Sequence, residues 1–222
     1  LALDDLEREN ERKLAEDALF ESRERLQFMM TNSPAVIYTC RPSGDFGATF
    51  VSSNVVHQLG YDSREFTADA GFWTAHIHPD DAPRVFAGIA ALFEKGSHAH
   101  EYRFRHKDGT WRWMHDELRL MRNAAGDPAE ILGSWVDITE RKGMEETLRE
   151  GERKYRALFD SASDAIFILD LDGNVIDVNR SAHARLGYTK QEMLAMHISR
   201  LDPPEFAARV PERMEKISRS GE

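Results

Sequence analysis

The sequence predicts an α+β fold in which one antiparallel sheet is flanked by helices, and three observations support this prediction. The patterns along residues 1–160 run in the order charged helix, two short strands, small helices, three longer strands and a second charged helix. Asp108-Gly109 lies between two β-prone runs and is a strong signal for a two-residue hairpin turn. Residues 11–44 align without a gap with residues 140–173, which indicates a repeated unit.

The composition is that of a globular protein and excludes several functional classes. Of the 222 residues, 41% are hydrophobic and 31% are charged, and the formal net charge of −10 lacks the basic character of nucleic-acid-binding proteins. The single cysteine, Cys40, excludes intrachain disulfide bonds and zinc sites built from paired cysteines. No run reaches the roughly 18 apolar residues of a membrane-spanning helix, so we expect a cytoplasmic location and neither a membrane segment nor a nucleic-acid partner. The first residue is not methionine, so we expect the chain to be a piece of a longer protein.

The elements of the first unit follow from local patterns, taken in chain order. Residues 1 to about 30 contain neither Gly nor Pro and alternate acidic and basic side chains, which predicts a long exposed helix that ends near Thr31. The predicted strands are Val36–Tyr38, Thr49–Val51, Glu101–Arg105, Trp111–Met121 and Glu130–Ile138, with small helices between Ser53 and about Leu92. Thr139 is the predicted N-cap of the second charged helix, which runs from Glu140 to about Phe159.

The repeat is the most informative feature of the chain. Its identities are Glu11/Glu140, Arg12/Arg141, Lys13/Lys142, Glu16/Glu145, Leu19/Leu148, Glu21/Glu150, Ile37/Ile166, Gly44/Gly173 and, after small gaps, Asn54/Asn179. The residues after Gly173 are too few for three closing strands, so we expect a second copy that holds only its front half and does not fold independently over 164–222. Either a partner copy supports it, for example by strand exchange, or the protein continues past Glu222, and we favour the second explanation. The predicted organisation is a connector helix at 1–32, a complete domain at 33–139, a connector helix at 140–160 and a truncated domain at 161–222.

Short motifs occur in a fixed order along both units. The first unit carries Asn54, Leu59-Gly60-Tyr61, Trp73, Ile77-His78-Pro79-Asp80-Asp81, Tyr102-Arg103, Lys107-Asp108-Gly109-Thr110, Arg112-Trp113 and Asp137-Ile138-Thr139-Glu140-Arg141-Lys142. The second carries Ala157-Leu158-Phe159-Asp160, Asp164-Ala165-Ile166-Phe167, Asp172-Gly173, Asn179 and Leu186-Gly187-Tyr188. The first set resembles a PAS (Per-Arnt-Sim) domain with its C-terminal PAC half, and the second set is similar to the front half of another PAS domain.

The resemblance implies a PAS fold, which is a five-stranded antiparallel sheet flanked by helices, here with long connector helices. It also implies a sensory function, since tandem PAS domains serve as bacterial input modules for histidine kinases of two-component systems or for GGDEF/EAL enzymes of cyclic diguanylate signalling. None of these catalytic sequences is in the chain, so we expect no enzymatic activity in it and an output domain outside it. In this interpretation the closing strand of the first domain shifts, and Asp137, Ile138 and Thr139 relay the shift into the next helix.

The residues present disfavour two cofactor classes of the PAS family. Flavin-thiol photosensors carry a cysteine on a helix, whereas Cys40 lies on a predicted strand. Haem-binding members use a histidine on the long helix before the third strand, but neither Asp80–Lys95 nor the corresponding stretch Pro204–Ile217 contains one. We therefore predict no bound cofactor. Non-covalent FAD leaves no short motif, so a cofactor-loaded redox or gas sensor stays open as one alternative, and a structural dimerisation spacer as another.

Histidine and aspartate residues before the predicted long helix allow two interpretations. His76 and His78 lie close to Asp80 and Asp81, which is a set of side chains able to ligate a metal ion. The same pattern fits a turn in which Asp80 accepts backbone N–H bonds at a helix start. The turn is favoured, so we predict no metal site.

A second histidine group lies on the first of the three closing strands. His98, His100 and His106 share one strand face with Tyr102 and Phe104 by their spacing of two residues. A role in pH sensing is one interpretation, because histidine titrates near neutral pH. We expect instead the half-exposed end of a strand.

Apolar residues of the first unit form either a packed core or a ligand pocket. The candidate lining is Trp73, Phe86, Ile89, Leu92, Tyr102 and Phe104. Sequence patterns are the same for a filled core and for a cleft, so an unknown small-molecule ligand stays open as a partner. The strand Trp111–Met121 carries apolar residues on both faces, so one face needs a cover, either the N-terminal helix or a partner subunit.

Both charged helices carry an apolar stripe at heptad spacing. The stripes are Ala15, Leu19, Ser22, Leu26 and Met29, and then Met144, Leu148, Gly151, Tyr155 and Leu158. Each stripe covers fewer than the ~3–4 heptads that define a coiled coil, so it either pairs two subunits or packs on its own domain. We favour a parallel homodimer seam at Leu19, Leu26, Leu148 and Tyr155, in which Ser22 and Gly151 leave an adjustable register.

Overall fold

The chain divides into two units, whose boundary lies between Gly143 and Met144. The computed structural model describes residues 2–201, and their side chains from residue 12 onward. The first unit contains α1 (Ala2–Thr31), β1 (Ala35–Cys40), β2 (Ala48–Val51), α2 (Val55–Leu59), α3 (Ser63–Ala68), α4 (Phe72–His76), α5 (Ala82–Lys95), β3 (Ser97–Arg105), β4 (Trp111–Arg122) and β5 (Pro128–Asp137). Helix α6 (Thr139–Ser161) crosses the boundary in sequence, and the second unit continues with β6 (Phe167–Leu169), β7 (Val175–Val178), α7 (Arg180–Leu186), α8 (Lys190–Leu194) and a 3-10 turn (Ile198–Arg200).

A five-stranded antiparallel sheet with the strand order β2-β1-β5-β4-β3 forms the first unit. β1 pairs with β5 from Ala35↔Val136 to Cys40↔Ile131, so the first and last strands are neighbours inside the sheet. The predicted α+β fold with a five-stranded antiparallel sheet is confirmed. The loop between β3 and β4 is longer than the predicted two-residue turn. Beyond the pair Arg105↔Trp111 the His106 N–H still donates to the Thr110 carbonyl (2.8 Å), so three residues, 107–109, form the loop.

One face of this sheet is buried against α2, α3 and α5. Side chains alternate between the two faces along each strand, as pleated geometry requires. The largest buried side chains of the sheet are Tyr38, Tyr102, Phe104, Met114, Ile131 and Trp135. The Tyr38 ring lies directly over Gly133, where a Cβ atom would come within 2.1 Å of it, so this close approach requires glycine.

Strand β3 begins at Ser97, four residues before the predicted start at Glu101. The added segment contains two histidines and has little β-propensity of its own. It pairs with β4 from Ser97↔Arg119 to His100↔Asp116, and this pairing with a long neighbouring strand extends β3 beyond what local propensity indicates.

A buried asparagine in each unit anchors the segment that follows a long helix. The Asn54 amide donates to the carbonyls of Ser33 (2.9 Å) and Ala35 (2.8 Å), which join α1 to β1. The Asn179 amide donates to the carbonyls of Phe159 (3.0 Å) and Asp164 (2.8 Å) at the corresponding place after α6. Asn54 and Asn179 therefore make equivalent hydrogen bonds in the two units, and each fixes the segment between the preceding helix and the first strand of its domain.

The second unit, as far as Leu201, is a two-stranded antiparallel sheet with two short helices. Its core consists of Val175, Val178, Ala182 and Met193. Residues 202–222, on which the predicted truncation of this domain depends, lie outside the described residues.

Replacement of Asn54 by alanine should destabilise the first unit by about 2 kcal/mol, because the Ser33 and Ala35 carbonyls lose their donor in a partly buried site. Urea unfolding followed by tryptophan fluorescence measures this change, since all four tryptophans lie in the first unit. Asn32→Ala is the matched control, because that amide bonds the Phe28 carbonyl at an exposed site. Equal stabilities of the two variants would contradict the assignment.

Candidate functional site

A buried carboxylate on β4 lies at the centre of the first unit. Asp116 is completely buried and accepts hydrogen bonds from the hydroxyls of Tyr38 (2.7 Å) and Tyr102 (3.1 Å). His100 Nε2 lies 3.3 Å from the same carboxylate, and Trp73 Nε1 donates to the Tyr102 hydroxyl at 2.9 Å. These five residues, the Asp116 network, connect β1, β3, β4 and α4 through side chains alone.

Burial fixes the protonation state of the two phenols in the Asp116 network. Desolvation, followed by the nearby Asp116 charge, raises the pKa of both Tyr38 and Tyr102 well above the usual 10.0. Both hydroxyls therefore stay protonated near neutral pH and remain donors. A buried carboxylate is costly unless it is hydrogen-bonded, so these donors are what makes the interior position of Asp116 tolerable. The other ring nitrogen of His100, Nδ1, is buried and finds no partner among the described residues.

A small, partly open cavity adjoins the network. Its volume is about 40 Å³, which is room for one or two water molecules. Its wall is mainly aromatic and aliphatic and includes Tyr38, Phe46, Phe66, Trp73, Leu92 and Trp135. Tyr38 and Trp73 belong both to this wall and to the Asp116 network, so the cavity and the network share two side chains.

The six candidate pocket residues occupy three kinds of position. The cavity wall takes in Trp73, Ile89 and Leu92. Tyr102 and Phe104 lie in the packed core around it and are almost completely buried. The prediction for Phe86 is wrong, because this side chain is 45% exposed and is not part of the cavity wall. Its ring lies edge-on to the Trp73 ring, with centroids 6.1 Å apart.

Cys40 contributes a protonated thiol to the cavity wall. It lies on β1, as predicted, and burial raises its pKa to about 12. The thiolate is the reactive form of cysteine, so this side chain is chemically inert near neutral pH.

The aspartates before α5 serve the fold in a way that the sequence did not predict. Asp81 is the N-cap residue of α5, but its carboxylate binds the backbone N–H and the guanidinium of Arg103, both at 2.9 Å. The predicted cap at Asp80 is wrong, since that side chain is 76% exposed and its backbone N–H donates to His78 Nδ1. His76 contacts a carbonyl of its own helix. Among the side chains that the structure describes, residues 12–201, no group of three or more such residues is arranged to hold a metal ion.

The three histidines of the first closing strand separate in the structure. His98 and His100 lie on the core face of β3, and His106 lies beyond its end in the hairpin loop. The expected half-exposed strand end is wrong for His100, which is 8% exposed and bound to Asp116. Helix α5 covers both strand residues at Gly88, where a Cβ atom would lie 2.4 Å from His98 Nε2.

The last strand of the sheet passes directly into α6 through Asp137, Ile138 and Thr139. The Ile138 N–H donates to the Trp113 carbonyl (2.8 Å), and the Thr139 hydroxyl oxygen accepts the Trp113 N–H (2.9 Å). The predicted N-cap role of Thr139 is therefore wrong: α6 begins at Thr139 itself, and the Ile138 carbonyl accepts the Lys142 N–H. These bonds attach the first turn of α6 to β4 as well as to β5.

The predicted seam residues are exposed in the single chain. Leu19 and Leu26 on α1 are 54% and 56% exposed, and Leu148 on α6 is 74% exposed. Tyr155 is 42% exposed and stacks on Phe159 of its own helix, with ring centroids 5.2 Å apart. These side chains are therefore accessible in the single chain, and the dimer seam stays a prediction.

Comparison with known proteins identifies the family of both units. A family model described as PAS fold matches residues 48–134, and one described as PAS domain matches residues 153–220. Together the two matches cover more than half of the chain. The chain belongs to the PAS domain family. It is a tandem PAS segment with the function of a sensory input module, and PAS domains are sensory rather than catalytic.

Sensor proteins are similar to this PAS segment over most of its length. The two-component sensor PprA of Pseudomonas aeruginosa is 28% identical over 89% of this chain and 21% of that protein. The methyl sulfide methyltransferase-associated sensor of Methanosarcina acetivorans is 28% identical over 74% of this chain and 17% of its own length. A sensory box histidine kinase/response regulator structure from Burkholderia thailandensis is 30% identical over 60% of this chain and 98% of that one, with a TM-score of 0.49. The segment spans about a fifth of the length of these two curated relatives.

In the described part, residues 2–201, no helix has the length and apolar character needed to cross a membrane.

The sequence patterns did not predict Asp116, the central residue of the first PAS core, because strand alternation predicts an apolar residue between Met114 and Leu118. Asp116 could have been predicted from an acidic residue at a core-facing strand position in a sheet whose other strands carry the hydroxyl donors Tyr38 and Tyr102.

Replacement of Asp116 by alanine should destabilise the first PAS domain by about 3–5 kcal/mol, because the Tyr38 and Tyr102 hydroxyls and the His100 ring lose a shared buried acceptor. Chemical unfolding monitored by tryptophan fluorescence gives the change in the free energy of unfolding. The control is Glu117→Ala at the next position of β4, where the side chain is 67% exposed and truncation should cost less than about 0.5 kcal/mol. Similar losses in the two variants would contradict a central role for Asp116.

Proposed function

We propose that this tandem PAS segment is the input region of a cytoplasmic, homodimeric bacterial sensor histidine kinase whose catalytic domains lie outside the chain. The similarity to a two-component sensor over 89% of the chain supports a kinase output in preference to cyclic diguanylate synthesis or breakdown. In this proposal the segment has no catalytic activity. The core of the first PAS domain receives the signal, and α6 carries it onward.

The attachment of α6 to β4 is the observation that supports this proposal most strongly. Trp113 holds Ile138 and Thr139 through its backbone carbonyl and N–H, so the first turn of α6 must follow any movement of β4. The same strand carries Asp116, three residues along, on its core face. A change in the Asp116 network therefore needs to travel only along one short stretch of strand to reach the helix.

The cavity beside the Asp116 network is the proposed input site. With about 40 Å³ it admits a ligand of a few atoms, whereas pockets for drug-sized or cofactor-sized ligands are roughly 300–1,000 Å³. Haem or FAD would require the packed core to open, and Ala82–Lys95 offers haem no histidine ligand. The redox or gas sensor with a large cofactor is therefore the less favoured alternative.

A change in helical phase tests the relay. The segment is fused to the dimeric core of a histidine kinase, and residues are inserted in α6 after Gly143. Insertion of about one heptad keeps the helical phase, so we expect autophosphorylation close to that of the parent fusion. Insertion of about half a heptad alters the phase and should change autophosphorylation at least about fivefold, the size of a typical coupling between sites.

A second variant of the same fusion, Trp73→Ala, alters the proposed input site. It enlarges the cavity and removes the hydrogen-bond donor to the Tyr102 hydroxyl. It should also change autophosphorylation. If both insertions and Trp73→Ala leave the rate unchanged, the segment is a structural spacer and the relay is contradicted.

The exposed stripe of α6 supports the proposed homodimer, and one substitution tests it. Leu148→Asp should raise the dimer dissociation constant at least about tenfold, because a seam position would then bury an unpaired carboxylate. Sedimentation equilibrium of the full chain measures the constant. Ala157→Asp introduces the same charge at an exposed position away from the stripe and should leave the constant unchanged. Dimers of equal strength in the two variants would show that Leu148 and Tyr155 form no seam.

A further inference from the structure

The first turn of α6 is bound to β3 through ion pairs with Glu101, in addition to its backbone hydrogen bonds with Trp113. The Glu101 carboxylate lies 2.6 Å from Arg141 Nη2 through one oxygen and 2.6 Å from Lys142 Nζ through the other. Lys142 also lies over the ring of Trp113, at 5.2 Å from its centroid. The Lys142 ammonium, ahead of the Arg141 guanidinium, holds the pKa of Glu101 below its usual value, so the carboxylate is ionised at neutral pH.

The backbone of the same residue is bound to α5. Arg84 of that helix donates from its guanidinium to the Glu101 carbonyl at 2.7 Å. Farther along α5, Ile89 and Leu92 form part of the cavity wall. Glu101 is therefore joined by its main chain to the helix that covers the cavity, and by its side chain to the helix that leaves the domain.

The neighbour of Glu101 connects this position to the Asp116 network. His100 precedes Glu101 on β3 and points to the opposite face of the sheet, where it meets Asp116. A displacement of β3 that accompanies a change in the network must therefore displace the Glu101 carboxylate on the outer face. The ion pairs are partly exposed, with 31% of the Glu101 side chain accessible, so they are weak enough to rearrange.

We infer that Glu101 is a positioning residue of the relay, which sets the first turn of α6 against β3 and α5 through its paired contacts with Arg141 and Lys142. This inference rests on the proposed signalling role of α6. Without the Glu101 carboxylate, α6 keeps its backbone attachment to Trp113 but loses the ion pairs that join its first turn to β3. The output then no longer follows the state of the first core.

Hydrogen exchange in the full chain tests the positioning directly. Glu101→Gln preserves size and removes the charge, and it should accelerate amide exchange at Lys142 and its neighbours in the first turn about three- to tenfold. Exchange at the amides of β3, β4 and β5 should stay unchanged. Glu94→Gln, at an exposed position near the end of α5, is the control and should alter neither set. Unchanged exchange in the first turn of the Glu101→Gln variant would overturn the inference.

Autophosphorylation of the kinase fusion separates positioning from simple stabilisation. Glu101→Gln should remove the response of the fusion to Trp73→Ala, whereas Glu94→Gln should preserve that response. Charge exchange, with Glu101→Lys combined with Arg141→Glu and Lys142→Glu, should restore slow exchange and the response together. Faster exchange with an intact response would show that Glu101 is only structural, and would leave the proposed sensory function standing.

A different result would contradict the proposed function itself. In that case the insertions after Gly143 leave autophosphorylation of the fusion unchanged, whichever residue occupies position 101. That outcome does not depend on the exchange rates in the first turn of α6. The two sets of measurements therefore distinguish an error in the role of Glu101 from an error in the role of the whole segment.

Discussion

The hydrogen-bonded burial of the Asp116 carboxylate is the constraint on which the first PAS domain depends. Removing a carboxylate from water is costly, so donors must converge on it from other strands of the sheet. Tyr38 comes from β1, and Tyr102 and His100 come from β3. A shift of either strand by one residue would turn its donor to the opposite face of the sheet, so the network helps to specify strand register as well as the shape of the cavity.

The sequence was sufficient for features that depend on local pattern, and it failed where partners are distant in the chain. Element order, the repeat and the strand that carries Cys40 follow from periodicity and turn residues. The burial of Asp116 depends on Tyr38, which is 78 positions away, and no local period contains that information. Thr139 and Asp80 were assigned to caps because their residue types favour caps, but in the structure the Thr139 hydroxyl accepts the Trp113 N–H, and the neighbour of Asp80 is the residue at the N-cap.

Partly exposed ion pairs recur at the two ends of α6, each within its own unit. Near its start Glu101 binds Arg141 and Lys142, and near its end Arg156 donates to Asp177 at 2.7 Å in the second unit. The partly exposed Glu101 pairs contribute about 0–1 kcal/mol each, which is small beside the burial of apolar core residues. Asp177 is largely buried, so its pair with Arg156 is shielded from water more than the Glu101 pairs are.

The inert state of Cys40 makes the chain a convenient object for site-directed spectroscopy. It is the single cysteine, it is buried, and its thiol stays protonated at the pH of ordinary labelling reactions. A maleimide or nitroxide reagent would therefore discriminate strongly in favour of a cysteine placed on the solvent side of α1 or α6. Distances between such labels in a pair of chains can be read without first removing a native thiol from the core.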